Sequence, residues 1–354
     1  MCRPDARVAS RCTLPEPPIT THVHRPRGAP LGATGLRTFC RGVIACPVVA
    51  LQPSPSAEVV IDAALVRGLL EDQHPDLARL PLQEVGAGWD NAMFRLGDTL
   101  AVRLPRRAVA APLIEHEHKW LPLLAARLPL AIPAAERVGT PGRGYPWTWG
   151  ISRWVPGTTA AHIWPLSDAL NARRLAEFLR ALHAPAPHDA PVSPVRGIPL
   201  AARTDRVRTH LHQVEDLVDH ERILRAWEIA TAVRPWPGPR TWVHGDLHPG
   251  NLIVDADRVV GVIDFGDITS GDPATDLACA WMLFTPEGRL AFRRALVECG
   301  HPVDDDMWAR ARGWALTLNL AWLTMSAGDA DTTAQTLATI EAVLSERDST
   351  PELS

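Results

Sequence analysis

The sequence contains almost no lysine or tyrosine: Lys119 is its only lysine and Tyr145 its only tyrosine. Nearly all of the positive charge is therefore arginine. Any phosphate-binding role that a lysine usually performs must fall on an arginine or be absent. The formal net charge of -4 gives no electrostatic reason to expect nucleic acid as a partner.

Long apolar runs and metal-type cysteine pairs are also absent. No run reaches the roughly 18 residues that a membrane-spanning helix needs, so no membrane partner is predicted. The six cysteines form no CxxC pair and no disulfide framework. Free thiols in a reducing compartment are the simpler interpretation, and they predict a cytoplasmic protein. The sequence leaves the oligomeric state open.

The composition changes twice along the chain. Residues 1–56 are rich in Pro, Arg, Thr and Gly without periodicity, and they are predicted to be a disordered extension or a segment translated from upstream of the natural start. Residues 57–155 contain short β-like runs, including two that flank Gly97-Asp98 and predict a tight hairpin. Residues 156–354 are mainly helical in pattern. The expected fold is therefore α+β, with a small β-rich lobe followed by a larger α-helical lobe.

Apolar residues at helical spacing predict the long helices of the second lobe. These helices are expected over Leu211–Ala230, Trp308–Met325 and Thr333–Leu344.

The segment from Val243 to Val254 combines side chains that suit phosphoryl transfer. Such a transfer needs a group that orients the attacking hydroxyl and accepts its proton, together with ligands for Mg²⁺. Asp246 lies in a turn and can perform the first role, and the amide oxygen of Asn251 can bind Mg²⁺. Two short strands that follow would bring Asp264 back beside Asn251, so that both residues can hold one metal ion.

The strings HGDLHPGN and IDFGD, which contain these residues, resemble the aminoglycoside phosphotransferase family of protein-kinase-like small-molecule kinases. The resemblance extends from about Ile61 to the end of the chain. It implies the bilobal protein-kinase-like fold, with a nucleotide-binding first lobe and a catalytic and acceptor-binding second lobe. It also implies ATP or GTP as co-substrate and Mg²⁺ as cofactor.

The resemblance assigns roles in the second lobe. It implies that Asp246 is the catalytic aspartate and that His244 braces the catalytic loop. Asn251 and Asp264 are implied to be the metal ligands. Asp276 matches a downstream aspartate, which we expect to fix the catalytic loop.

The resemblance also implies nucleotide-binding residues in the first lobe. Arg103 stands where the family has a lysine that contacts phosphates and pairs with a helix glutamate. Glu117 is the expected partner, and Glu115 is the alternative. The remaining expected residues belong to the loop that covers the phosphates, and they are Gly86, Gly88 and Asn91.

Several other residues have simpler interpretations. His116 and His118 alternate with glutamates in a predicted helix and are expected to face solvent, and His248 is expected to pack within its loop. The tryptophans of Trp308–Trp322 are expected to lie in the core. A polycationic acceptor would require acidic side chains near Asp246, and the sequence offers Asp267, Asp272 and Asp329.

We therefore predict an enzyme that phosphorylates a hydroxyl of a small molecule. Only nine residues separate Gly266 from Asp276, which leaves little room for a peptide-docking segment and favours a small acceptor. An aminoglycoside, and with it antibiotic resistance, is the leading interpretation. A macrolide or a metabolite alcohol is an alternative acceptor. A nucleotide-binding pseudokinase without turnover is the alternative from a different class.

Overall fold

The computed structural model describes residues 55–325 and 330–346. The predicted disordered extension over residues 1–56 lies outside this part of the chain, except for its last two residues. Within the described residues, a lobe built around a five-stranded sheet precedes a mostly helical lobe. The predicted α+β order is confirmed.

The first lobe consists of an antiparallel sheet and two helices. Its strands follow the order β1-β2-β3-β5-β4. Helix α1 and one face of the sheet enclose a core in which Phe94, Tyr145 and Trp149 are the largest buried side chains. The elements in chain order are α1 (Ala63–Gln73), β1 (Leu82–Ala87), β2 (Asn91–Leu96), β3 (Leu100–Pro105), α2 (Ala111–Ala125), β4 (Ala135–Gly139) and β5 (Trp149–Arg153).

The β2–β3 hairpin forms where the sequence predicts it. Side chains of β2 alternate between buried and half-buried, as expected for a strand with one face on a core. Gly97 adopts a φ of 59°, a left-handed conformation that glycine tolerates without strain. The resulting register pairs Arg103 with Met93 on one side and with Gly150 of β5 on the other.

Helix α2 carries its one buried acid on its apolar face. Ile114, Leu121 and Leu124 are buried and recur at helical spacing. Glu117 lies three residues after Ile114 and four before Leu121, so it shares their face and is buried with them. A carboxylate in this position needs a cationic partner.

The second lobe packs its helices around one large core and carries two small sheets, β7–β10 and β6–β8–β9. Its strands are β6 (Thr158–Thr159), β7 (Thr241–Val243), β8 (Leu252–Asp255), β9 (Arg258–Val262) and β10 (Thr269–Gly271). Its helices are α3 (Ala169–Leu182), α4 (Thr204–Gln213), α5 (His220–Ala232), α6 (Ala274–Leu277), α7 (Cys279–Leu283), α8 (Pro286–Glu298), α9 (Asp305–Met325) and α10 (Ala330–Ser345).

Helix α3 holds the hairpin of β8 and β9 in place through Asn171. The turn needs left-handed conformations at Ala256 and Asp257, whose φ angles are 45° and 62°. The Asn171 amide nitrogen donates to the Asp257 carbonyl at 2.7 Å, and Val259 N donates to Asn171 Oδ1 at 2.8 Å. This buried amide satisfies both backbone groups and fixes the β8–β9 hairpin.

The prediction of a single helix over Leu211–Ala230 is wrong. Helix α4 ends at Gln213, and α5 begins at His220 after an intervening turn. The Asp219 side chain accepts a hydrogen bond from Arg222 N at 3.0 Å and therefore caps the start of α5. The apolar spacing continues across the break, so periodicity alone did not reveal it.

The two C-terminal helices agree with prediction. Helix α9 covers the expected Trp308–Met325, and α10 covers Thr333–Leu344. Asp304 Oδ1 accepts a hydrogen bond from Met307 N at 2.7 Å, so this acid caps α9. No helix in the described part of the chain is long and apolar enough to cross a bilayer.

Candidate active site

The predicted catalytic segment starts where β7 ends and finishes where β8 begins. Ile263 N donates to the Asn251 carbonyl at 2.9 Å, which joins the end of β9 to the start of β8. Asp264 is therefore the first residue beyond this junction, and its φ of 61° turns the chain sharply there. The hairpin brings the backbones of Asn251 and Asp264 together, as the sequence predicted.

Asn251 also contacts Asp246. Its amide nitrogen donates to the Asp246 carbonyl at 2.9 Å and lies 3.4 Å from Asp246 Oδ2. Because the nitrogen is used in these contacts, the amide oxygen is the atom left for a cation. Amide and carboxylate oxygens are the ligands that Mg²⁺ prefers in proteins.

Asp276 fixes the backbone at the start of the catalytic loop. Its Oδ2 accepts from His244 N and its Oδ1 accepts from Gly245 N, both at 2.8 Å. Gly245 adopts a φ of 89°, and a Cβ there would lie 2.7 Å from the Asp267 carbonyl oxygen. The side chain of Asp276 is fully buried, with His183 Nε2 3.0 Å from its Oδ2. These contacts give Asp276 the bracing position that the sequence suggested.

Replacing Asp276 with alanine is expected to destabilise the protein and to slow nucleotide turnover. Two charge-assisted hydrogen bonds of about 1.5–3 kcal/mol each are lost, and two backbone N–H groups are left unpaired. Urea unfolding should show a loss of roughly 3 kcal/mol or more. Asp276→Asn keeps one oxygen acceptor. Its stability and turnover should lie between those of wild type and those of the alanine variant. Wild-type stability and turnover in the alanine variant would contradict this bracing role.

His244 lies between the loop and the β8–β9 hairpin. Its Nδ1 accepts from Asp246 N at 3.2 Å, and its Nε2 lies 3.1 Å from the Ile263 carbonyl. The ring also packs against Phe265 with centroids 4.5 Å apart. The structure thus places His244 as a structural brace behind Asp246.

Arg103 and Glu117 form a buried ion pair that joins β3 to α2. Arg103 Nη1 bonds to Glu117 Oε2, and Arg103 Nη2 donates to Glu117 Oε1 at 3.2 Å. Arg103 Nη2 also lies 3.8 Å from Asp264 Oδ1. Two nitrogens of one guanidinium contact both carboxylate oxygens, which a lysine ammonium cannot do in the same geometry. The alternative partner, Glu115, is exposed and lies 3.4 Å from Thr148 Oγ1.

The predicted phosphate-covering loop joins β1 and β2 and is tied down by two arginines. Gly88 N donates to the Asn91 carbonyl at 2.9 Å, and Arg106 Nη1 donates to the Gly88 carbonyl at 3.0 Å. Arg107 Nη2 lies 2.7 Å from Asp90 Oδ1. Gly86, at a φ of 137°, supplies the bend in which β1 changes register. Buried Asn91 Oδ1 has no hydrogen-bond partner.

Asp90 is an acidic residue of this loop that sequence analysis did not single out. Burial raises its pKa against the opposing effect of Arg107, and the charge of Asp264 raises the pKa further. The charge of Arg103 lowers the pKa of Asp90. The pairing of β2 with β3, which sets Asn91 opposite Pro105 and Met93 opposite Arg103, places the loop at the end of the sheet near Arg103.

The expectation that His118 faces solvent is wrong. Its Nδ1 is buried without a hydrogen-bond partner, and the ring lines a small cavity together with Arg103, Glu117 and Ser152. Gly150 makes room for the ring, because a Cβ there would lie 2.3 Å from His118 Nε2. Burial and, secondly, the charge of Arg103 lower the pKa of His118 to about 4.

His118 makes stability depend on pH. Its folded pKa lies below the ordinary value of 6.5, so the unfolded chain takes up the proton first as pH falls. The free energy of unfolding should fall by at most about 2 kcal/mol from this group between pH 7 and pH 5. Denaturant unfolding of His118→Gln should show a smaller pH dependence, whereas half-buried His116→Gln should resemble wild type. Equal pH slopes in both variants would contradict this assignment.

Arg196 lies beside Asp246 and was missed by sequence analysis. Its Nη2 is 3.1 Å from Asp267 Oδ2 and 3.8 Å from Asp246 Oδ1. It belongs to a Pro-rich loop without periodicity, so no sequence signal distinguished it from a solvated arginine. The structure thus adds a fixed cation to the predicted set.

His248 also lies beside Asp246, so its interpretation as loop packing is incomplete. Its Nε2 is 3.5 Å from Asp246 Oδ2, and its ring meets Trp322 with centroids 4.5 Å apart. Burial alone would raise the pKa of Asp246, but His248, Arg196 and His244 outweigh it and lower that pKa to about 2. Asp246 is therefore ionised throughout the neutral range. The sequence signal that could have revealed this contact is the position of His248, two residues after Asp246.

Two of the three acidic residues considered for a cationic acceptor have internal partners. Asp267 faces Arg196, and Asp272 is buried with Arg310 Nε 2.8 Å from its Oδ2. Asp329 lies outside the described residues. Of the tryptophan stripe, Trp308 and Trp314 are buried in the core as expected, whereas Trp322 is half-buried beside His248.

The order of the two lobes, with the motif residues at their junction, defines a protein-kinase-like fold. A family model described as the phosphotransferase enzyme family (APH) matches residues 81–314. The match covers well over half of the chain, and the chain belongs to this family.

Curated relatives match over a shorter stretch. Aminoglycoside 3'-phosphotransferase of Escherichia coli is 29% identical over 139 residues, which cover 38% of this chain and 51% of that protein. The protein of the same name from Salmonella typhimurium is 28% identical over a stretch of the same length. The chain thus spans about half the length of these relatives.

Solved structures match over most of the chain. The GDP complex of wild-type aminoglycoside 2'-phosphotransferase-IIIa gives a TM-score of 0.58 at 21% identity, covering 80% of this chain and 99% of that one. A macrolide 2'-phosphotransferase type I gives a TM-score of 0.55 at 22% identity, covering 80% of this chain and 98% of that one. These likenesses show a shared fold, and together with the family model they confirm the predicted family and architecture.

Proposed function

We propose that this chain transfers the γ-phosphate of ATP or GTP to a hydroxyl of a small molecule. The observation that carries the proposal is the convergence of Asp246, Asn251 and the Arg103–Asp264 contact at the junction of the two lobes. Residues 57–155 bind the nucleotide in this account, and residues 156–354 supply catalysis and bind the acceptor. The nucleotide donor makes the cytoplasm the expected location.

Asp246 orients the acceptor hydroxyl and takes its proton. A bond forms between the hydroxyl oxygen and the γ-phosphorus while the bond from that phosphorus to the β–γ bridging oxygen breaks. Because its pKa is about 2, Asp246 is a weak base before transfer begins, so orientation is its larger contribution. The loose transition state of phosphoryl transfer requires little proton abstraction in advance.

Arg103 binds phosphate oxygens and is held by Glu117. The buried carboxylate fixes the guanidinium in one orientation, which reduces the entropy lost on binding the nucleotide. Gly86, Gly88 and Asn91 cover the phosphates from the β1–β2 loop with backbone and amide groups.

Asn251 and Asp264 would hold Mg²⁺, with the remaining ligands coming from phosphate and water. Two protein oxygens are a sufficient set for this ion at a nucleotide site. The donor set fits, because the nitrogen of Asn251 is already engaged and the carboxylate of Asp264 is about half exposed. When bound, the ion neutralises charge on the phosphates.

An aminoglycoside is the first acceptor candidate, because the curated relatives carry that substrate class in their names. A macrolide or a metabolite alcohol is the second candidate. The internal pairing of Asp267 with Arg196 and of Asp272 with Arg310 favours the second candidate, because it leaves fewer carboxylates for a polycation.

A transfer assay tests the proposal against the pseudokinase alternative. The full chain is incubated with Mg²⁺, with ATP or GTP, and with a panel of aminoglycosides, macrolides and hydroxylated metabolites. Mass spectrometry should detect one phosphorylated acceptor and an equivalent amount of nucleoside diphosphate, and both should vanish with EDTA. Nucleotide binding without metal-dependent turnover on any acceptor or on water would establish the pseudokinase instead.

A further inference from the structure

A short loop between α3 and α4 is attached to the strand β10 by hydrogen bonds. Residues 191–197 form this loop, which is called the β10 loop below. Ser193 N donates to Thr269 Oγ1 at 2.7 Å, and Asp272 N donates to the Gly197 carbonyl at 2.8 Å. The β10 loop is therefore anchored near its beginning and at its end.

The β10 loop also packs directly on the backbone of the strand. A Cβ on Gly271 would lie 2.0 Å from the Gly197 carbonyl oxygen, so any side chain at residue 271 would push the loop away. This close approach fixes the distance between the loop and β10. The path of the chain through residue 196 is therefore determined by backbone contacts on the second lobe.

Arg196 is held both at its backbone and along its side chain. Arg196 N and Val195 N donate to Ser193 Oγ at 3.1 and 3.2 Å, which fixes the turn that carries the arginine. A Cβ on Gly245 would lie 3.3 Å from Arg196 Cγ, so the stem of the side chain packs against the backbone of the loop that carries Asp246. The guanidinium therefore does not depend on a flexible surface contact.

One nitrogen of Arg196 lies between two carboxylates. Nη2 is 3.1 Å from Asp267 Oδ2 and 3.8 Å from Asp246 Oδ1. The other carboxylate oxygen of Asp246, Oδ2, lies 3.4 Å from the Asn251 amide nitrogen and 3.5 Å from His248 Nε2. All three contacts of the Asp246 carboxylate are longer than an ideal hydrogen bond. Its oxygens are therefore oriented by these neighbours and still have lone pairs for a hydroxyl.

The position between the two carboxylates has an electrostatic consequence. Asp246 and Asp267 carry like charges on one side of the site and would repel each other without a cation between them. Burial raises the pKa of Asp267, the charge of Arg196 lowers it, and the charge of Asp246 raises it again. Removing the guanidinium would leave this repulsion uncompensated, so the Asp246 carboxylate would rotate away from Asp267.

We propose that Arg196 is a positioning residue for phosphoryl transfer, which holds the Asp246 carboxylate in the orientation that receives the acceptor hydroxyl. The inference rests on the proposed function and adds to it a group that acts through Asp246. Arg196 contacts carboxylates and not the nucleotide in this account. Its loss should therefore lower kcat and leave nucleotide affinity unchanged.

Arg196→Met keeps a long side chain on the Gly245 backbone and removes the charge. We expect kcat to fall by roughly 10- to 100-fold, because a displacement of about 1 Å at a reacting group can cost that much. The affinity for β,γ-imido-ATP with Mg²⁺ should stay within about 2-fold of wild type, since only the transfer step is affected. Arg196→Lys keeps a cation as a point charge and should recover part of kcat.

Arg208→Met is the matched control, because Arg208 is an exposed arginine of α4 that faces Asp205 at 3.8 Å. Both kcat and nucleotide affinity should remain those of wild type. If Arg196→Met lost nucleotide affinity as much as kcat, Arg196 would act on the nucleotide and the inference would be overturned. A wild-type kcat in Arg196→Met would have the same consequence.

A double variant separates positioning from stability. Arg196→Met alone leaves the half-buried Asp267 carboxylate without its partner, which lowers the free energy of unfolding. Arg196→Met, Asp267→Asn removes that unpaired charge, so urea unfolding should return towards wild type. The kcat should remain as low as in the single variant, because Asp246 still lacks its cation. A kcat that recovered together with stability would show a structural role only and overturn the inference.

Crystal structures of wild type and Arg196→Met, each with Mg²⁺ and β,γ-imido-ATP, test the positioning without turnover. We expect a single orientation of the Asp246 carboxylate in wild type and a rotated or divided one in the variant. Carboxylates that superimpose in the two structures would overturn the inference. A rotated carboxylate in the variant, combined with a wild-type protein that phosphorylates no acceptor, would support the positioning by Arg196 and count against the phosphotransfer proposal alone.

Discussion

Replacing Asp246 with alanine is expected to lower kcat for phosphoryl transfer by about 10²- to 10⁴-fold, the range for loss of one positioned acid–base group. The carboxylate is ionised, lies beside Arg196 and His248, and sits on a loop fixed by Asp276. Its removal leaves the hydroxyl unoriented, but it does not touch the Arg103–Glu117 pair. Nucleotide affinity should therefore stay close to wild type.

Single-turnover kinetics with saturating nucleotide and a detected acceptor provides the measurement, and nucleotide affinity is followed in parallel. Asp205→Ala removes a carboxylate that is almost fully exposed on α4, and it should leave kcat unchanged. If Asp246→Ala retained robust metal-dependent transfer, Asp246 would not be the catalytic base. If Asp246→Ala also lost nucleotide affinity, Asp246 would contribute to nucleotide binding as well as to transfer, contrary to this account.

Replacing Glu117 with alanine is expected to reduce the free energy of unfolding by about 3–5 kcal/mol. The substitution leaves Arg103 buried without its partner, with only the 3.8 Å contact to Asp264 remaining. The unpaired guanidinium is also free to rotate, so nucleotide affinity should fall. Glu115→Ala, on the exposed face of the same helix, should change stability by less than roughly 0.5 kcal/mol.

The double variant Arg103→Met, Glu117→Leu separates stability from function. It removes both buried charges and fills the space with apolar side chains, so its unfolding free energy should return close to wild type. Nucleotide affinity should remain low, because the guanidinium that we propose to bind the phosphates is gone. Denaturant unfolding and nucleotide titration measure the two properties. A double variant that binds nucleotide normally would remove Arg103 from the phosphate site.

The sequence predicted those parts of the site that lie close together in the chain. Asp246 and Asn251 are five residues apart, and the strands that return Asp264 to them are joined by a short turn. Local turn chemistry and strand pairing are sufficient to bring such residues together. To predict that Arg103 pairs with Glu117, one must also know that α2 packs on the sheet.

The residues that sequence reasoning missed are brought in by tertiary packing. Arg196 comes from a loop that carries no periodic pattern. Its position depends on contacts with the catalytic loop. His118 was predicted to be exposed because it alternates with charged residues, but the space left by Gly150 admits its ring.

The helix break before α5 shows the same limit in a simpler form. Apolar residues keep helical spacing on both sides of the turn, so the pattern predicts one helix. The cap at Asp219 is a single side-chain hydrogen bond, and Asp is also common on exposed helix faces. Only the structure distinguishes a capping Asp from a surface one.

Crystals of the full chain grown with Mn²⁺ and β,γ-imido-ATP would test the central claim directly through the anomalous signal of the metal. We predict a peak bounded by the amide oxygen of Asn251 and the carboxylate of Asp264, with the γ-phosphate directed towards Asp246. A peak held by other side chains, or a nucleotide bound away from this junction of the lobes, would contradict the account.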